Sequence, residues 1–412
     1  MTVEGWEAMS WVEIAGQLRG RYFNFGSWRD LSDAWSPPRL SGYEYNWAIP
    51  GVTAGQYEDF VTSSLFSNPA FYAARQPLED QLADKAQRVV IWLGGNDFRG
   101  NYGPLYDGRS SASLIAGLVD DIGKIIDFVK RQNPNVQIVL GTVPDLGATP
   151  TKKAAHPDAA KRARVTAATV AANARLATLA ARKGVVVADT YSVTAALVQN
   201  APVYFGGVQI VNDKNANNNP RFAFARDGLH PNTALQILNV RAITRAFNRG
   251  YGAGIPVITD AEALEFLGLD ANQPFFDWLG RFGISDESFQ ADTDGDGIPQ
   301  LAEFAFRLDP MKSDAARLPV RVGGAVPGFS GSVSVRFTPA AVWARSVAVR
   351  VQYSADGVIW NAVLASRVVA NAGGSFTVAV PDAPRPVHLR LRIVTIPPSG
   401  SAASVSSYVT IR

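Results

Sequence analysis

Short apolar runs alternate with longer amphipathic stretches along residues 1–255. "RVVIWLGGND" (88–97), "VQIVLGTVPD" (136–145) and "GVVVADTYS" (184–192) are rich in β-branched residues and end in turn formers. Between them, "SLIAGLVDDIGKIIDFVKRQ" (113–132) and "DAAKRARVTAATVAANARLATLAARKG" (158–184) carry apolar side chains at helical spacing. Continuous apolar strands alternating with such helices predict an α/β domain, a parallel sheet covered on both faces. Ligands of these sheets bind beyond the carboxyl ends of the strands, so chemistry is expected in the turns that follow them.

The pattern changes twice further on. Residues 256–316 hold two short helical stretches, "DAEALEFLGL" and "QPFFDWLGRFGI", ahead of an acidic loop, "DTDGDGIPQLAEFAFRLDP". From about residue 317 short strand-like runs follow: "GSVSVRF", "SVAVRVQYS", "VIWNAVL", "GSFTVAV", "VHLRLRIVT" and "SSYVTI", spaced by Gly, Pro and Ser. The Asp356-Gly357 pair between two of them is a hairpin signal. The chain therefore divides into an α/β domain (1–255), a short helical linker with the acidic loop (256–316) and a small all-β sandwich (317–412).

Composition narrows the partners. The 412 residues fit two or three domains, and 47% apolar content is enough for packed cores. With 39 basic and 36 acidic residues the net charge is only +3, and no basic run is interleaved with aromatics, which excludes nucleic acid as the expected partner. The absence of cysteine removes disulfides, thiolate metal sites and cysteine nucleophiles together. No stretch is apolar for the ~18 residues that a membrane span needs. The opening "MTVEGWEAMSWVEIAGQL" has neither the basic start nor the apolar core of an export signal.

Three groups recur where strands should end. "YNWAIPGVTAGQ" (45–56) carries Gly51, "LGGNDF" (93–98) carries Asn96 and Asp97, and "DGLHPN" (227–232) carries Asp227 and His230. Acyl transfer needs a base oriented by an acid, and donors for the oxyanion of the tetrahedral intermediate. Asp227 and His230 would be that acid and base. Asn96 offers a side-chain NH2, and Gly51 a backbone N–H that a ligand can approach without meeting a Cβ. Asp97 reads as a turn acceptor. "RGNYGPLYDG" (99–108) reads as a Gly/Tyr-rich loop that could line a cleft. His156 lacks an Asp three residues before it, and His388 falls in a sandwich strand.

In these blocks the sequence resembles the SGNH or GDSL hydrolases over roughly residues 10–250. "NWAIPGVT" resembles the family's glycine block, "GGND" its asparagine block and "DGLHP" its histidine block. The resemblance implies a flavodoxin-like three-layer α/β/α hydrolase domain. It also implies a serine ester hydrolase, with a Ser-His-Asp triad in which His230 and Asp227 are catalytic and Gly51 and Asn96 form the oxyanion hole, no cofactor being needed for catalysis.

The family's first block, Gly-Asp-Ser after an apolar strand, has no counterpart. "MSWVEIAGQLRG" (9–20) resembles the helix after that serine, with Ser10 as its N-cap, and "YFNFGS" (22–27) the strand after that helix. The nucleophile is thus expected ahead of residue 1, on a strand whose loss would leave the chain poorly folded or with a sticky edge. Ser27 is the weak candidate within the chain.

"DTDGDGIPQLAE" (292–303) matches D-x-[DN]-x-[DN]-G-x5-E, placing Asp292, Asp294 and Asp296 at positions 1, 3 and 5, Gly297 at 6 and Glu303 at 12. Calcium takes six to eight oxygens, and the glycine allows the turn that gathers them; the Ile298 carbonyl serves position 7 and Gln300 falls at 9. The loop resembles single calcium loops of dockerin-like and thrombospondin type 3 repeats, with a structural Ca2+. That loop and the sandwich point to a secreted, periplasmic or cell-surface setting for the full-length parent. The substrate expected is an ester, of an O-acylated carbohydrate or a lipid. The alternative is a non-catalytic binding or adhesion protein of the same fold.

Overall fold

The computed structural model describes residues 8–33, 35, 39, 41–62, 69–214, 219–285, 288–329, 332–340, 345–381, 388–396 and 406–411, with the backbone only for 31 and 69–74. The segment 1–7, which belongs to the stretch without an export-signal pattern, lies outside them. Two compact units make up the chain, Met1–Val203 with Ile210–Ile258, and Tyr204–Gln209 with Thr259–Arg412. Among the described residues no helix is long and apolar enough to cross a membrane.

The first unit is an α/β domain. The elements up to Tyr251, of which Tyr204–Phe205 of β6 and Val208–Gln209 of β7 fall in the second unit, run α1 (Trp11–Arg19), β1 (Trp28–Arg29), β2 (Gly42–Tyr43), α2 (Ala54–Thr62), α3 (Pro69–Asp84), β3 (Arg88–Ile91), α4 (Gly95–Tyr106), α5 (Ala112–Gln132), β4 (Gln137–Gly141), α6 (Pro150–Ala155), α7 (Ala159–Lys183), β5 (Val186–Ala188), α8 (Tyr191–Val198), β6 (Val203–Phe205), β7 (Val208–Lys214), β8 (Phe222–Phe224) and α9 (Thr233–Tyr251). The two expected helices appear as α5 and α7, and α7 is capped by the Asp158 carboxylate and closed by Gly184 in the left-handed region. Ser10 caps α1 in a reciprocal capping box with Glu13.

The three apolar runs form a parallel sheet in the order β3-β4-β5, with Val89 opposite Ile138 and Val139 opposite Val186. One face packs α2, α3, α4, α5 and α7 into a core around Ile122, Ile126, Ile138, Leu140 and Leu176, all at most 2% exposed. On the other face α9 packs against β4 and β5, and α1 packs against α9. The Tyr251 hydroxyl fastens α9 to β4 by donating to the Ile138 carbonyl (2.8 Å) and accepting its N–H (3.0 Å).

Two expectations need correction here. Residues 22–27 do not join this sheet. The Phe25 and Ser27 carbonyls accept from Tyr45 and Glu44 (2.9 and 2.8 Å), so the run continues into the antiparallel β1–β2 pair instead. Residues 99–108 are largely helix, not loop, because Phe98, Tyr102, Leu105 and Tyr106 recur at helical spacing and are all buried.

The second unit continues with α10 (Asp260–Leu267), α11 (Gln273–Arg281), α12 (Gln300–Phe306), β9 (Val320–Gly323), β10 (Ser332–Phe337), β11 (Val347–Ser354), β12 (Asn361–Ala362), β13 (Val368–Ala370), β14 (Phe376–Pro381), β15 (His388–Thr395) and β16 (Ser406–Ile411). Two antiparallel sheets, β13-β14-β10-β9 and β12-β11-β15-β16, form the β-sandwich. The residues expected as a linker share its core: Phe275, Trp278, Leu301 and Phe304 cluster with Val335, Val351, Leu391 and Ile393. Asp356-Gly357 does lie in a hairpin connection, but a long one, since Tyr353 pairs with Asn361; the Asp356 carboxylate holds it by accepting from Val358 and Ile359.

Candidate active site

Asp227 and His230 sit in the turn between β8 and α9. Gly228 takes a φ of +65° there, and the Ala225 N–H donates to the His230 carbonyl at 2.9 Å. Asn232 caps α9, so Pro231 lies just outside the helix. The Thr151 hydroxyl donates to the Asp227 carbonyl at 2.6 Å and pins the turn from α6.

Within this turn the Asp227 carboxylate is fully used. One oxygen accepts the backbone N–H groups of Leu229 and His230 (2.9 and 3.0 Å), and the other meets Nδ1 of the His230 ring. Burial pushes the Asp227 carboxyl up, but the N–H donors of His230 and Leu229, with the imidazole, outweigh it and hold the group below its ordinary value. A carboxylate kept ionised against Nδ1 fixes the Nδ1–H tautomer and leaves Nε2 as the ring's proton acceptor.

The other two blocks are joined to each other. The Asn96 side-chain NH2, in the first turn of α4, donates to the Val52 carbonyl at 3.0 Å. An amide NH2 has two donors, so this bond leaves one for a ligand. Asp97 accepts the Ala54 N–H (3.1 Å) at the start of α2 and is 8% exposed, the structural acceptor that its turn position suggested. Burial raises the Asp97 carboxyl above its ordinary value, with the Ala54 N–H opposing. Gly51 has a φ of +82°, and no atom lies within 4 Å of where a Cβ would sit. Its surroundings are open to a ligand.

A cavity of about 830 Å³ is lined by His230 and Asn96, while Gly51 and Asp227 are not among its lining residues. His230, Asn96 and Arg99 line it, as do Gly95, Asp145 and Thr190, each just past the carboxyl end of a sheet strand. It also runs the full length of β3, from Gln87 to Leu93, and is bounded opposite by Tyr22–Phe25. Helices α1 and α9 contribute one wall, and α2, α3 and α5 the other. The β3 edge facing it has no strand partner among the described residues. The space beside β3 has the length of one extended segment, roughly 20 Å at the rise of a strand.

Ser27 does not line this cavity; its hydroxyl donates to Glu44 at 3.3 Å on the protein surface. Ser10 does line it, but its hydroxyl donates to Glu13 at 2.8 Å as the α1 cap. Asp292, Asp294, Asp296, Ile298 and Glu303 all belong to the second unit. Arg99 opens the 99–108 stretch that the sequence marked as a possible cleft lining, whereas Thr151 belongs to no motif and only the fold brings it to the turn.

A family model described as GDSL-like lipase/acylhydrolase matches residues 15–236. No curated protein and no solved structure matches the chain.

Proposed function

The chain belongs to the GDSL-like lipase/acylhydrolase family, and on that premise we propose that it hydrolyses carboxylic esters through a serine delivered to His230 on an extended segment seated beside β3. The observation that carries this reading is the cavity: one slot is lined by Asn96 and by His230, whose ring meets Asp227, and has an unpaired strand edge along its length among the described residues. A strand in that slot completes the sheet, and its carboxyl end lies where the other strands present their chemistry.

In this reading the serine hydroxyl attacks the ester carbonyl and its proton passes to His230 Nε2, Asp227 stabilising the imidazolium. The Gly51 N–H and the second Asn96 N–H are the donors for the oxyanion. Collapse breaks the C–O bond, and His230 returns the proton to the departing alcohol. Water then repeats the sequence on the acyl-enzyme and releases the acid. O-acylated carbohydrates and lipids both fall within this substrate class.

The test compares p-nitrophenyl acetate hydrolysis by the 412-residue chain and by the same chain extended at its amino end with an apolar strand ending in Gly-Asp-Ser. The extended chain should turn over ester and lose that activity on His230→Ala. If it folds with the strand seated and remains inert, the protein is a non-catalytic binding member of the family.

A further inference from the structure

The acidic loop of the second unit has a feature that repeat spacing alone cannot supply. The nearest carboxylate oxygens of Asp292, Asp294 and Asp296 lie within 4.8 Å of one another. Most oxygens of this trio are occupied by the loop's own backbone. Asp292 accepts from Gly295 (2.9 Å) and Gly297 (2.9 Å), and Asp296 accepts from Ile298 (2.9 Å). Such bonds shape an acidic turn whether or not it holds an ion.

Glu303 is different. It projects from α12, is 0% exposed, and neither carboxylate oxygen has a hydrogen-bond partner. Oδ2 of Asp294 and Oδ1 of Asp314 are likewise buried without a partner. The carboxylates of Asp294, Asp296, Asp292 and Asp314 all act on Glu303 electrostatically. A buried carboxyl surrounded by four others, with no donor, is among the most costly arrangements a fold can hold. A divalent cation among these oxygens reverses every one of those repulsions.

We propose that Asp292, Asp294, Asp296, Glu303 and the Ile298 carbonyl bind one calcium ion, and that Asp314 closes the site from outside the loop. Asp314 is held there by its own N–H, which donates to Asp296 at 2.9 Å, and by Arg317, which meets its carboxylate at 3.2 Å. Hard oxygen donors in a flexible loop, with a glutamate able to give both oxygens, suit calcium; magnesium demands a smaller, stricter octahedron and keeps its water. Gly295 and Gly297 adopt φ of +76° and +88°, conformations that let the loop wrap an ion.

The consequence reaches the core. Glu303 is flanked by Ala302 and Phe304, both fully buried, and Phe304 packs edge-on against Trp278 and Phe275 with ring centres 5.5 Å apart. The ion thereby fixes α12 in the core that the two sheets share, and the sandwich unit becomes calcium-stabilised. An extracellular setting, where calcium is abundant, is the environment in which such a site stays loaded.

The test is calorimetric titration of the full chain with calcium chloride after EDTA treatment, paired with thermal melting. One ion per chain should bind, and a hundredfold excess over Kd should raise the melt of the sandwich unit by roughly 5–10 °C. Glu303→Gln and the surface substitution Asp292→Asn should each weaken binding by about tenfold or more, since even groups behind the ligands contribute that much. Absence of heat and of any melting shift at millimolar calcium overturns the proposal. So does wild-type affinity in both variants, or an equal response to magnesium.

Discussion

The Asp227 carboxylate holds His230 at two points, the backbone N–H at 3.0 Å and Nδ1 of the ring. The first bond shapes the turn and the second fixes the tautomer, so one side chain sets both the position and the tautomer of the imidazole. In a catalytically competent chain, Asp227→Asn should lower kcat by about 10⁴-fold with little change in KM, because an amide presents the wrong hydrogen to Nδ1. Steady-state kinetics check this.

The same carboxylate makes a pH prediction. Its folded value lies below the ordinary 3.8, so it contributes stability that is fully present above that value and lost as pH falls through the folded one. Acid titration of the α/β unit, followed by circular dichroism, should show Asp227→Asn lowering stability at neutral pH and flattening the acid limb. A wild-type acid limb in the variant contradicts the assignment.

Neighbouring residues in α4 should separate cleanly. Asn96→Ala removes the proposed oxyanion donor and should cut kcat by about 10²–10³-fold. Asp97→Ala removes the acceptor of the Ala54 N–H and should cost about 1–2 kcal/mol of stability. Measuring both kcat and urea midpoints for each variant distinguishes the two roles.

The contact of α9 with the sheet leaves no room at Gly250. A Cβ there would sit 2.1 Å from Cγ2 of Val186. Gly250→Ala should destabilise the unit by about 1–3 kcal/mol, and Val186→Ala should recover much of that in the double variant. Denaturant melts of the four species test the coupling.

An extended segment seated beside β3 should also act on stability. Adding it should slow amide hydrogen exchange across residues 88–93 and reduce aggregation, because it pairs an open strand edge. Unchanged exchange there would show that the slot takes no strand.

Much of this was legible in the sequence, for definite reasons. Strands β3, β4 and β5 and helices α5 and α7 bury continuous or regularly spaced apolar faces, and those faces are written in residue order. Asp227 and His230 were legible because both ride on one short turn. Helix α4 was hidden by Gly100, Gly103 and Pro104, whose loop-forming character is overridden by the burial of Tyr102 and Leu105. Strands β9 and β13 were missed because their side chains are mostly exposed and show no alternation. The continuity of α11 and α12 with the sandwich core was hidden too, since it depends on contacts between residues far apart in sequence. The cavity beside β3 was not legible, since its walls come from segments far apart in the sequence.

The most direct test of the account is fluorophosphonate labelling of the chain extended with an apolar strand ending in Gly-Asp-Ser, with the modified residue located by mass spectrometry. The account predicts a single adduct on the serine of the added strand, absent in His230→Ala. An adduct on Ser27 or Ser10, or labelling that survives His230→Ala, would contradict it.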